Sequence, residues 1–233
     1  MAEALDVVAD RNLGQPAPVV MLDACALLDV LRSPHRDGVP SGIIEATVAL
    51  STRASATPRQ AWVVAAEQMH HEWTEHVANV EQETRAEIDK LARRLAALRA
   101  VTQALPAGPL ARVDLIPLDL PTQLRAVAQG LLDCAQLISQ DGARVQSAWA
   151  RVRDGVPPAS KGKQEMKDCV IFEHYLALSR RLRGAGFVPA LVFVSSNTTD
   201  YGSPGHLSPF LEGDLAASLL QYVTNFAWAV TLL

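Results

Sequence analysis

Val19-Val20-Met21-Leu22 runs without a break into Asp23. Four apolar residues, two of them β-branched, followed at once by an acid read as a strand buried on both faces that ends at a polar edge. The pattern recurs far along the chain, where Leu191-Val192-Phe193-Val194 enters Ser195-Ser196-Asn197-Thr198-Thr199-Asp200. Ligands of open α/β sheets sit just beyond the carboxyl ends of such strands. Two acids delivered there from opposite ends of the sequence point to a site for a hard cation.

Working outward from these strands, alternating elements predict an α/β fold built on a parallel sheet. Residues 1–15 read as a loose leader, and 16–233 as one domain. Ala24 to Leu31 is a short helix ended by Ser33-Pro34, and Ile43 to Arg53 is a second. Gln60 to Ala66, with Trp62-Val63-Val64, is strand two. Trp73, Val77, Val80, Thr84, Ile88, Leu91, Leu95 and Leu98 hold one stripe over about seven turns at ~100° per residue. That is a long helical arm, stopped by Pro106 and Pro109, with Pro121 to Gln140 as its packing partner through Leu124, Val127, Leu131 and Ile138. Val113 to Leu118 between them reads as an edge strand, because Pro117 cannot donate to a ladder. Residues of about 74–160 together form a helical insertion. Arg144 to Lys163 is basic, and its second half, with Gly155, Pro157, Pro158 and Gly162, reads as a mobile loop. A helix from Gln164 to Arg183, ended by Gly184 and Gly186, leads to the strand Ala190–Val194. Leu215 to Leu233 carries no charge, but Gln221, Thr224 and Asn225 interrupt it and no Lys or Arg follows. It reads as a closing strand and helix rather than a membrane span.

The net charge of −4 over 233 residues argues against gripping nucleic acid through bulk charge, while leaving room for a local basic groove. Cys25, Cys134 and Cys169 are odd in number with no C-x-x-C pair, which predicts reduced core thiols in a cytoplasmic protein. Thiols are poor partners for magnesium-like ions. No basic segment followed by an apolar one opens the chain, so no secretory signal is expected.

Two further acids join Asp23 and Asp200. Asp168 shares a helix face, within about 60°, with Ile171, Phe172, Tyr175, Ser179 and Leu182. A carboxylate heading an apolar stripe faces the sheet, and burying it ionised without a partner costs several kcal/mol. It meets a cation, forms a salt bridge or caps its own helix. Glu173, about 140° away on the same helix, reads as solvated or supporting. Glu72 follows strand two by about six residues; it is either a solvated helix glutamate or part of the same edge. Asp23 can cap the helix after it, and Asp200 can serve a turn. Four acids gathered at one edge repel each other unless a divalent ion sits among them.

These stretches resemble the PIN-domain ribonucleases. Val19 to Leu28 looks like their opening strand, Trp62 to Glu72 their second strand and its glutamate, Lys167 to Glu173 their third acidic motif, and Val192 to Tyr201 their fourth strand and terminal acid. Leu215 to Leu233 is similar to their closing strand and helix. The middle of the chain is not covered, so it looks like a larger member with a helical insertion. Ser195 stands where many members have Thr, which keeps the hydroxyl. The resemblance implies a three-layer α/β/α sandwich around four or five parallel strands and a Mg²⁺- or Mn²⁺-dependent endoribonuclease leaving 5′-phosphate and 3′-hydroxyl ends. It implies catalytic roles for Asp23, Glu72, Asp168 and Asp200, with Asp23, Asp168 and Asp200 as metal ligands and Glu72 orienting a water or holding a second ion. Ser195, Ser196, Asn197 and Thr198 could donate to a phosphate or to the carboxylates. Lys163 and Lys167, with Arg144, Arg151, Arg153 and Lys161, could contact the RNA backbone. Family analogy extends to toxin–antitoxin or defence systems and an antitoxin-like inhibitory partner, and the long helical arm offers a surface for a homodimer.

Other readings are weaker or remain open. His71-Glu72-Trp73-Thr74-Glu75-His76 places its histidines five apart, not the four a zinc helix requires. Ser160-Lys161-Gly162-Lys163 lacks the companion motifs of S-x-x-K enzymes. A haloacid dehalogenase-type phosphatase would want an acid where Cys25 stands. A catalytically inactive PIN-like RNA-binding or protein-interaction domain stays as the alternative.

Overall fold

The computed structural model describes residues 1–105, 111, 114–160 and 165–233. Helix α1 spans Leu5–Gly14, β1 Val19–Leu22, α2 Ala24–Arg32, α3 Ile43–Ser55, β2 Trp62–Ala66 and α4 Glu67–Gln103. Then come α5 (Leu120–Asp133), β3 (Gln136–Ile138), α6 (Gly142–Asp154), α7 (Met166–Gly184), β4 (Leu191–Val194), α8 (Thr198–Tyr201), α9 (Pro209–Ser218), β5 (Gln221–Val223) and α10 (Phe226–Thr231). The strands make one all-parallel sheet in the order β3-β2-β1-β4-β5. The predicted α/β class with a parallel sheet of four to five strands is thus observed.

The strand order reverses between β1 and β4. From β1 the chain winds outward through β2 to β3, then returns across the sheet to place β4 on the other side of β1. Such a switch point opens a crevice at the carboxyl edge. Leu22 lies level with both Ala65 and Val194, so Asp23 and Ser195 leave the sheet side by side. Every residue of β1, β2 and β4 is buried, as expected of strands covered on both faces. The helices form two mutually packed sets, α2, α3, α5 and α10 in one, α1, α6, α7 and α9 in the other, with α4 touching both. That grouping is compatible with three layers. Among the described residues no helix is long and apolar enough to cross a membrane.

Several expectations need correction. The leader is ordered: Leu5–Gly14 is helical, Val8, Ala9 and Asn12 are buried, and Arg181 on α7 pairs with Asp6 at 3.3 Å and Asp10 at 3.0 Å. Glu3 bonds to β3 through Leu137 and Ser139, both at 2.8 Å, covering that sheet edge. The helix expected from Pro121 to Gln140 ends at Asp133, and the chain turns into β3. Residues 74–160 are therefore not a purely helical insertion, since they supply a strand of the sheet. No strand forms at 114–118; Ile116–Leu118 is a 3₁₀ turn, and Val113 lies outside the described residues. Pro106, Pro109, Gly162 and Gln164 also lie outside them.

The long arm keeps its stripe only in part. Trp73, Val77, Val80, Thr84 and Ile88 are buried, and α5 packs on α4 as expected, with Trp73 Nε1 donating to Gln129 at 3.0 Å. Farther along, Leu91 and Leu98 are exposed.

Candidate metal centre

Each acid reaches the carboxyl edge by a different local device. Asp23 follows β1 directly; its amide donates to the Val194 carbonyl at 3.0 Å, continuing the ladder one residue past the strand. Its Oδ1 accepts from the Ala24 amide at 2.8 Å, so the cap reading of Asp23 is also correct. That bond uses one oxygen. The other, Oδ2, accepts from the Ser195 hydroxyl and from the Cys25 thiol at 2.9 Å. Glu72 stands on the second turn of α4, which springs straight from β2, and Gln68 braces it at 3.3 Å. Asp168 lies in the first turn of α7, where its charge meets the positive helix end favourably.

Asp23, Glu72 and Asp168 each present a carboxylate oxygen within 4.8 Å of the other two. Asp23 is 2 % exposed. Burial, with smaller help from neighbouring acids, pushes Asp168 up to about 8 and Glu72 to about 7. Asp23 is raised by its burial against the lowering pull of Cys25, Ser195 and the Ala24 amide. Like charges this close disfavour joint ionisation. Hard-oxygen donors in this number suit Mg²⁺ or Mn²⁺, which keep waters in the remaining positions.

Asp200 is not one of the three acids within 4.8 Å of one another. It sits in the one-turn helix α8, its Oδ2 accepting from Asn197 Nδ2 at 2.7 Å. It still acts on the cluster electrostatically, raising both Asp23 and Asp168. The sequence points to Asp23, Asp168 and Asp200 as ligands with Glu72 orienting a water or holding a second ion; the three acids whose oxygens lie within 4.8 Å of one another are Asp23, Glu72 and Asp168. Asn197, expected to donate to a phosphate or to the carboxylates, donates to Asp200 and caps α8, and its backbone amide donates to Ser195 Oγ at 3.2 Å.

The basic residues divide. Lys167 pairs with Glu75 at 2.9 Å on the surface, close enough to Glu72 and Asp168 to be raised by them as well as by Glu75. Arg151 is not a free phosphate contact. It is buried, bonded to Glu173 and to Asp214 at 2.5 Å, and Glu173 is correspondingly buried rather than solvated. Arg153 pairs with Asp154 at 2.7 Å. Lys161 and Lys163 lie outside the described residues.

The scaffold under the acids was not foreseen. Phe193 on β4 is ringed by Tyr201, Tyr175, Tyr222 and Phe172 with centroids 5.1 to 5.9 Å away. All three tyrosines of the chain aim their hydroxyls at the backbone of the site. Tyr175 donates to the Leu22 carbonyl and accepts from the Ala66 amide at 3.0 Å. Tyr201 donates to the Asp168 carbonyl at 3.2 Å. Tyr222 reaches the carbonyls of Ser195 at 3.2 Å and Gly202 at 3.1 Å. Burial raises all three phenols, keeping them protonated as donors. Gly202 turns the chain at φ +85°, and a Cβ there would meet the His206 carbonyl at 2.9 Å, so only glycine fits.

Comparison with protein-family models, curated proteins and solved structures gives no match for this chain.

Proposed function

We propose that this chain is a PIN-like endoribonuclease that uses Mg²⁺ or Mn²⁺ to hydrolyse RNA phosphodiester bonds. The observation that carries the reading is the convergence of Asp23, Glu72 and Asp168, with oxygens within 4.8 Å of one another, at the switch point of a parallel sheet. Asp23 and Asp168 would hold the ion directly, with Glu72 completing the cluster. A divalent ion there supplies an activated water and neutralises charge on the phosphoryl oxygens. Ser195 and Cys25 fix the Asp23 carboxylate so that its orientation does not depend on the ligand. Gln68 does the same for Glu72, and Asn197 holds Asp200 where it adds negative potential without crowding the three. The tyrosine hydroxyls lock the backbone carbonyls of Leu22, Asp168 and Ser195, so the acids stand on rigid elements. Lys167, beside the trio, offsets part of its repulsion for a polyanion.

The test is cleavage of a 5′-labelled single-stranded RNA by purified protein with manganese and with EDTA. Manganese-dependent cleavage that disappears in D23N and D168N, with RNA binding retained, is the expected result. Binding without cleavage by the unaltered chain would select the inactive PIN-like binding domain instead.

A further inference from the structure

Next to the acids lies a cleft of about 300 Å³. Its walls come from the segment between α2 and α3, the turn after β4, the turn after α8 and the turn from β5 into α10. It begins where the metal centre ends: Ala26 is one turn beyond Asp23, and Ser196 adjoins Ser195. Its volume falls at the small end of ligand sites.

The lining chemistry is specific. Ser196, Thr198, Ser203, Thr224 and Asn225 supply hydroxyls and an amide, Arg36 supplies a cation, and Asp29 and Asp37 supply carboxylates, which accept from sugar hydroxyls. Arg36 Nη1 is held by the buried carboxylate of Asp29 at 2.5 Å, which fixes the guanidinium while its other N–H groups remain for an anion. The Ser196 hydroxyl is turned inward against the Cys25 thiol, so the cleft's accessible hydroxyls are those of its other polar residues. No aromatic ring is among the described residues that line the cleft. A base would want a stacking surface; a ribose and its phosphate want hydroxyl, amide and guanidinium partners.

We propose that this cleft receives the ribose and phosphate of the nucleotide next to the scissile bond, and that it selects RNA over DNA through the 2′-hydroxyl without reading the base. This rests on the nuclease reading of the adjacent acids and adds to it the sugar that the enzyme accepts and its tolerance of sequence.

Fluorescence anisotropy in EDTA, with a labelled uridine heptamer and its deoxyuridine counterpart, reads the cleft alone. Cleavage of the ribo-heptamer with manganese reads the acids. The unaltered chain should prefer the ribo-heptamer by roughly threefold to tenfold, the range set by one or two polar contacts. R36Q should weaken both sugars and lower the slope of log affinity against log salt by about 0.7, the loss of one single-strand phosphate contact. Thr198 and Ser203 are exposed, so the T198V/S203A pair keeps the test valid if R36Q folds poorly; it should bring the sugar preference to within about twofold. Equal affinity for both sugars in the unaltered chain, or an unchanged preference in T198V/S203A, overturns the cleft assignment even if manganese-dependent cleavage occurs. Absent cleavage beside an intact ribose preference overturns the nuclease reading, and with it the scissile bond beside the cleft, while supporting the cleft as a ribose site.

Discussion

Neutralising Asp168 should make the metal-free protein more stable, and more so as pH rises. Its carboxyl is lifted from an ordinary 3.8 to about 8, chiefly by burial and then by Asp23, Glu72 and Asp200. An acid whose folded pKa is raised holds a proton that the unfolded chain has already released. Stability therefore falls as pH climbs from about 4 towards 8. At ~1.4 kcal/mol per pH unit the full interval corresponds to roughly 6 kcal/mol. Water reaches part of the side chain and the three acids share their protons, which leaves ~2–4 kcal/mol to observe. In EDTA, urea unfolding should show the wild type losing that amount between pH 5 and 8, with D168N matching it at pH 5 and exceeding it at pH 8. Manganese should narrow that gap. At 100 times its Kd it stabilises the wild type by about 2.7 kcal/mol, with the larger gain at pH 8 because fewer protons must be displaced, and D168N should lose most of that gain. A wild-type stability that stays flat from pH 5 to 8, or a D168N profile parallel to it, would refute the electrostatic argument.

Four other substitutions probe the supports. S195A removes a hydroxyl from Asp23 and should weaken manganese affinity by about tenfold or more by calorimetry, while S195T restores it. Y175F leaves the Leu22 carbonyl and Ala66 amide of the site's own strands unmet, at a cost of ~2 kcal/mol in urea unfolding. R151M strands buried Glu173 beside Asp214 and should cost ~3–5 kcal/mol, yet leave the manganese-induced gain in stability unchanged because that network does not touch the trio. G202A forces a Cβ against the His206 carbonyl at positive φ, and should lower Tm while weakening the Asp200 influence on the manganese titration.

The parts of the fold that sequence revealed are those with strong local signals. β1 and β4 are short apolar runs broken by polar residues, and their observed bounds, Val19–Leu22 and Leu191–Val194, agree with the reading to within a residue. The α4 stripe was visible because its period persists from Trp73 to Ile88. β3 escaped because Leu131 and Ile138 fall at helical spacing, so three strand residues look like two more helical turns. The α1 helix escaped for a related reason: Leu5, Val8, Ala9 and Asn12 do share a face, but Glu3, Asp6, Asp10 and Arg11 mask it as a polar tail. At the site, strand exits pointed to Asp23, and the apolar stripe behind Asp168 pointed inward. Which of Glu72 and Asp200 joins them depends on where α4 and α8 aim their side chains, and that is a tertiary property. Arg151 looked like one charge of a basic loop because its partner Glu173 lies on another helix and Asp214 on a third. The tyrosine scaffold carried one faint signal, the presence of only three tyrosines in a chain poor in aromatics.

Anomalous diffraction from crystals soaked in manganese tests the central claim most directly. The account predicts a peak bounded by Asp23, Glu72 and Asp168, at about 2.1 Å from at least one oxygen of Asp23 or Asp168, the distance hard cations of this size adopt, and no such peak in D168N. A peak at another surface, or none at saturating manganese in crystals of the unaltered chain, would contradict it.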